Sequence, residues 1–187
     1  EVNAAWQAVL ADPANPLHLN PCLGASRWIT EAATRERWDS EIPEGAGWRD
    51  ETVFQALVQS SLADDPKAAG RVPAAFRAPN GTFVDLWEAF NARPLYDPNN
   101  VRCPALLIRG GADPTSTRAD AMHLFDLLGT EDKHYVEIAI GAHFFSSERR
   151  ALHVFASVNR FLDQAFAPLK LIKHPAVALP GALAHPY

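Results

Sequence analysis

Val101-Arg-Cys-Pro104-Ala-Leu-Leu-Ile108-Arg-Gly-Gly-Ala-Asp113-Pro114 carries the architecture of this chain. Ala105–Ile108 is a short apolar run stopped by two glycines, the pattern of a buried strand. A helix is expected next, capped by Thr115 or Ser116 and running to Leu128, with Gly129 as its stop. Ala121, Met122, Phe125 and Leu128 share one of its faces. Tyr135-Val-Glu-Ile-Ala-Ile140 reads as a second strand, ended by Gly141. A last helix spans about Ser147 to Phe166, with Val154, Phe155, Val158, Phe161 and Leu162 on its apolar stripe. The order strand, helix, strand, helix predicts an α/β fold whose strands run parallel through a right-handed crossover.

In an open parallel sheet, functional groups sit just past the carboxyl ends of the strands. Asp113 follows the first strand and His143 the second, so both belong to turns on the same rim. A carboxylate beside an imidazole fixes its tautomer, stabilises the imidazolium, and leaves the other ring nitrogen free as a general base. Singly, each has an ordinary explanation: Asp before Pro starts turns, and a histidine after a strand is commonly a loop residue. Their joint placement favours the functional reading. Asp97, in Tyr96-Asp97-Pro98, is a rival acid, but it precedes its strand and reads as a turn residue. Glu148 suits the dipole at the start of the last helix. His123 and His153 lie on helices with no ligand partner four residues on, so no metal site is expected. His134 lies at the wrong end of its strand, and His18, His174 and His185 in loops or the tail. No cofactor motif is present.

Upstream of residue 100 the chain reads as short helices punctuated by proline, with no convincing strand. Helices are expected over Glu1–Ala11; from a Thr30 cap to Trp38; over Glu51–Leu62 behind an Asp50 cap, with Val53, Leu57, Val58 and Leu62 inward; and over Thr82–Asn91, where Thr82-x-x-Asp85 resembles a capping box. All five tryptophans lie in this half. Phe83, Trp87 and Phe90 suit either a pocket wall or plain helix packing, and Phe144, beside the histidine, also suits a pocket wall. Hydrophobic residues make up 48% of the 187 and charged residues 21%, which excludes a disordered chain. A net charge of −5 lacks the basic footprint of a nucleic-acid binder. No apolar run approaches the roughly 20 residues that span a bilayer. Cys22 and Cys103 exclude a disulfide-dense scaffold and read as small buried thiols.

Residues 95–164 resemble the C-terminal part of an α/β-hydrolase. The resemblance rests on Leu95-Tyr-Asp-Pro98, Val101-x-x-Pro104, Leu106-Leu-Ile-Arg-Gly-Gly-Ala-Asp113-Pro, Ile138-x-x-Gly-x-His143-Phe and Val158-x-x-Phe161-Leu162. It implies that Asp113 is the acid and His143 the base of a Ser-His-Asp triad. It makes residues 1–94 a helical cap or lid, 95–166 the C-terminal part of the core, and 167–187 an extended proline-containing tail. Phe83, Trp87 and Phe144 become pocket-wall residues. The implied activity is cleavage of an ester or amide without metal or organic cofactor, with acyl transfer or non-catalytic ligand binding as alternatives. A cytoplasmic location is expected, with the periplasm or secretion as alternatives.

The chain departs from that pattern in two respects. The Gly-x-Ser-x-Gly nucleophile elbow does not occur, and the nearest string, Gly24-Ala-Ser26-Arg-Trp28, lacks a preceding strand. Two strands are also too few to form a stable sheet with both faces covered. The expectation is therefore a companion polypeptide, the N-terminal half of one precursor, that supplies the serine, the oxyanion donors and most of the sheet. Glu1 in place of a starting Met fits that origin.

Overall fold

The computed structural model describes residues 7–165. The expected start of the first helix at Glu1, the end of the last at Phe166, and the tail 167–187 with His174 and His185 lie outside the described residues. The architecture is mixed α/β, with three two-stranded sheets among the described residues and no closed barrel. No described helix is long and apolar enough to cross a membrane.

Residues 7–10 are helical, and the expected continuation to Ala11 gives way to β1 (Ala11–Asp12), paired with β2 (Asn15–Leu19). His18 thus lies on a strand rather than in a loop. The expectation of no strand before residue 100 is further corrected by β3 (Ser26–Thr30) and β4 (Ala75–Pro79), an antiparallel pair in register from Ser26↔Pro79 to Thr30↔Ala75. Between them lie α1 (Glu31–Asp39) and α2 (Glu51–Asp64). Both caps form as expected. The Thr30 hydroxyl accepts from the Ala33 amide, and the Asp50 carboxylate accepts from Thr52 and Val53. The buried face of α2 is Phe54 and Val58; Val53 and Leu57 are exposed. Helix α3 (Gly81–Phe90) starts after Asn80 with no side-chain cap, so Thr82-x-x-Asp85 does not act as one.

The second half follows the sequence closely. Strands β5 (Ala105–Gly110) and β6 (Lys133–Ile138) pair in parallel, joined by α4 (Arg118–Leu127) and followed by α5 (Ala151–Ala165). Helix α4 is capped by Thr117, which forms a reciprocal capping box with Asp120, rather than by Thr115 or Ser116. The core joins the halves: Trp38, Phe54 and Val58 are fully buried, with Ile42, Leu62 and Phe144 packed against them. Cys22 and Cys103 are exposed free thiols, which corrects the expectation of burial. Cys22 sits in a 3-10 turn opened by Pro21, and Cys103 just before Pro104, both outside any packed face.

The two strand ends meet through glycine. A Cβ on Gly110 would stand 2.2 Å from the Ala142 carbonyl oxygen and 2.6 Å from that of Gly141. Only a residue without a side chain permits this approach, and across it the Gly111 amide donates to Ile138 (2.8 Å) and the Ala112 amide to Gly141 (3.0 Å). Gly110→Ala should therefore lower stability by roughly 1–3 kcal/mol, the usual cost of overpacking. Gly81→Ala, where a Cβ meets nothing within 4 Å, should change it by less than about 1 kcal/mol. Urea unfolding midpoints of the two variants check the contrast.

Candidate active site

Asp113 and His143 come together as their strand-end positions require. His143 Nδ1 lies 3.2 Å from Asp113 Oδ1 and 3.1 Å from Oδ2. An ionised carboxylate only accepts hydrogen bonds, so Nδ1 carries the proton. Nε2 has no hydrogen-bond partner among the described residues and the imidazole is partly exposed, whereas the Asp113 side chain is only 3% exposed. Asp113 Oδ1 also accepts the amides of Thr115 (2.8 Å) and Ser116 (2.9 Å). These amides are why Thr115 and Ser116 do not cap α4: their turn is wrapped around the carboxylate.

Arg109, at the end of β5, fastens that turn from beneath. Its buried guanidinium donates to the carbonyls of Ser116 (2.6 Å), Asp113 (2.8 Å) and Gly111 (3.2 Å) and pairs with Glu137 on β6 (3.2 Å). Three carbonyls of the acid turn thereby converge on one rigid planar donor. The sequence reading passed over Arg109. Its signal was an arginine on an otherwise apolar buried strand, a position that requires many partners.

Glu148 is likewise more than a helix-dipole residue. It lies before α5 rather than on it, is 2% exposed, and accepts the Ala142 amide at 2.9 Å, which anchors the backbone next to His143. Its other oxygen and the Trp38 indole nitrogen are both buried without a partner in hydrogen-bonding geometry, although the indole lies close enough to favour the charged carboxylate. Burial pushes the Glu148 carboxyl above its ordinary value; the Ala142 amide and Trp38 indole oppose the rise, and the negative charge of Asp113 adds to it.

Of the predicted pocket residues, Phe83 and Phe144 line a chamber of about 1210 Å³ that also reaches Asp113 and His143. Trp28, Leu86 and Phe90 line it from the first half of the chain, and Leu107 and Ile108 of β5 from the parallel sheet. Trp87 does not line it, although that residue is only 4% exposed. Phe144 stands edge-on to the His143 ring at 5.2 Å and against Trp38 at 4.9 Å. Asp97 accepts the Asn99 amide at 2.9 Å and serves a turn, as expected. His134 bonds Asp132 away from the site. Ser26 opens β3 in register with Pro79.

Three ligating side chains converge here: Glu41, Asp113 and His143 have donor atoms within 4.8 Å of one another. Oxygen and imidazole donors of this kind suit a divalent cation. The carboxylate oxygens already have partners, however. Both Glu41 oxygens accept the Thr115 hydroxyl, Arg37 pairs with Glu41, and Asp113 holds two amides and the imidazole. Comparison of the chain with family models, curated proteins and solved structures gave no match.

The raised carboxyl of Glu148 has a defined consequence. The fold binds its proton more tightly than the unfolded chain does, so its favourable contribution is complete below the ordinary value of 4.5 and is lost as pH rises through the folded-state value. Glu148→Gln should gain stability relative to the unsubstituted protein as pH rises from about 4.5. Thermal midpoints measured across pH check this; a difference that does not change with pH contradicts it.

Proposed function

We propose that the chain supplies the acid and the base of an α/β-hydrolase-type enzyme that cleaves an ester or amide bearing a bulky apolar group. The observation that carries this reading is the Asp113–His143 pair, hydrogen-bonded at Nδ1 with Nε2 unpartnered, at one end of an apolar chamber. A buried carboxylate that already accepts two amides is fixed in place while it orients the ring, which is the role of a triad acid.

In this mechanism a serine hydroxyl attacks the substrate carbonyl while His143 Nε2 takes its proton. Asp113 remains an anion and stabilises the imidazolium. The tetrahedral oxyanion is held by backbone amides. His143 then gives the proton to the leaving alcohol or amine, and water repeats the sequence to release the acid. The aromatic walls take the apolar part of the substrate.

The serine and the oxyanion donors belong to a companion polypeptide in this proposal. No described Ser, Thr or Cys side chain hydrogen-bonds His143, and within the described residues β5 pairs on one edge only, to β6. That open edge borders the chamber through Leu107 and Ile108. A parallel strand added there would complete the sheet and bring a strand-end nucleophile to the same rim.

A fluorophosphonate probe applied to the native protein tests the division of labour. Label on the companion chain and none on this one is expected. Label on Ser26 or another serine of this chain would overturn the division, and no label at all would overturn the hydrolase reading. Asp113→Asn, which favours the wrong tautomer, should lower turnover on the order of 10³–10⁴-fold without loss of fold.

A further inference from the structure

One short segment of the first half grips both turns of the candidate pair. Trp38, at the end of α1, packs on Phe144 in the histidine turn. Three residues later, Glu41 reaches the acid turn, where its carboxylate accepts the Thr115 hydroxyl at 2.9 and 3.0 Å. Glu41 is 6% exposed, and its charge is offset by Arg37 one turn earlier on α1. A buried carboxylate is an expensive way to attach one element to another, and the Trp38, Phe54 and Val58 cluster already attaches this one. Its place is explained by what Thr115 does next: the Thr115 amide donates to Asp113 Oδ1 at 2.8 Å.

We infer that Glu41 is a positioning residue, which through the Thr115 hydroxyl tightens the acid turn in the geometry that aims Asp113 at His143, so that the aim of the pair is sharpest while this segment is seated. This rests on the hydrolase reading for its consequence in turnover, but not for its structural content. The chain of contacts runs Arg37, Glu41, Thr115 hydroxyl, Thr115 amide, Asp113, His143, and every link is a charge-assisted or carboxylate-accepted bond. When the segment lifts, Thr115 loses its acceptor and the amide that orients Asp113 is free to turn away. The orientation of the ring would then respond to the position of this segment.

The test uses Thr115→Val, which keeps the shape and removes the hydroxyl, and Thr115→Ser, which restores it. Proton NMR of the native protein follows the hydrogen-bonded Nδ1 proton of His143, and turnover of an apolar ester follows kcat and KM. In Thr115→Val the imidazole proton should broaden or vanish, and kcat should fall roughly 10- to 100-fold, the scale of a small misplacement, with KM little changed. Thr115→Ser should recover both. Adding Glu41→Gln to Thr115→Val should cost little more, because both act through one bond.

A Thr115→Val protein that keeps the proton signal and its kcat overturns the inference, as does failure of Thr115→Ser to recover them or an additive loss from Glu41→Gln. Stoichiometric Zn²⁺ that removes the His143 signal in the unsubstituted protein, but not in Glu41→Gln, would also overturn it by making the trio a metal site. If the proton signals behave as expected while no form of the protein turns over ester, the hydrolase reading fails and the positioning role stands.

Discussion

The close passage of the Gly110 backbone beneath the carbonyls of Gly141 and Ala142 is the constraint on which the rest of the site depends. Parallel pairing of β5 with β6 ends at Gly110↔Ile138, and from there both strands turn toward the same side. Any side chain at residue 110 would hold these turns apart. With none, the amides of Gly111 and Ala112 close across the gap, and Asp113 arrives one residue later at hydrogen-bond distance from His143. The catalytic geometry proposed here is thus a consequence of backbone proximity at the sheet edge, and the side chains only refine it.

Refinement comes from three buried charges that do not touch the chamber chemistry directly. Arg109 gathers the carbonyls of the acid turn, Glu148 fixes the amide before His143, and Glu41 holds Thr115 from the first half. Each is buried, and each bonds to one of the two turns. A site arranged this way resists rotation of either turn.

The β5–α4–β6–α5 order, the parallel sense and the meeting of Asp113 with His143 were all legible in the sequence. Short apolar runs ended by glycine, with helical periods between them, encode these features locally. The strand pair β3–β4 was not legible, because its partners lie far apart in sequence and each strand is five residues long. Of the expected inward face of α2, Val58 and Leu62 pack inward, whereas Val53 and Leu57 are exposed and Phe54 meets Trp38. The cap of α4 moved to Thr117 because the amides before it were already claimed by Asp113. In the linear sequence Glu148 looks like a helix-dipole residue, and nothing marks Glu41. Only tertiary burial gives them a role, and no periodicity announces that.

In the proposed reaction His143 is the working base, so its replacement should abolish turnover. Turnover of an apolar ester by the native protein should be compared with that of His143→Ala, with near-UV circular dichroism used to confirm an unchanged fold. A loss on the order of 10³-fold or more is expected with the assembly intact. Activity that survives within about tenfold in a folded His143→Ala protein would contradict it.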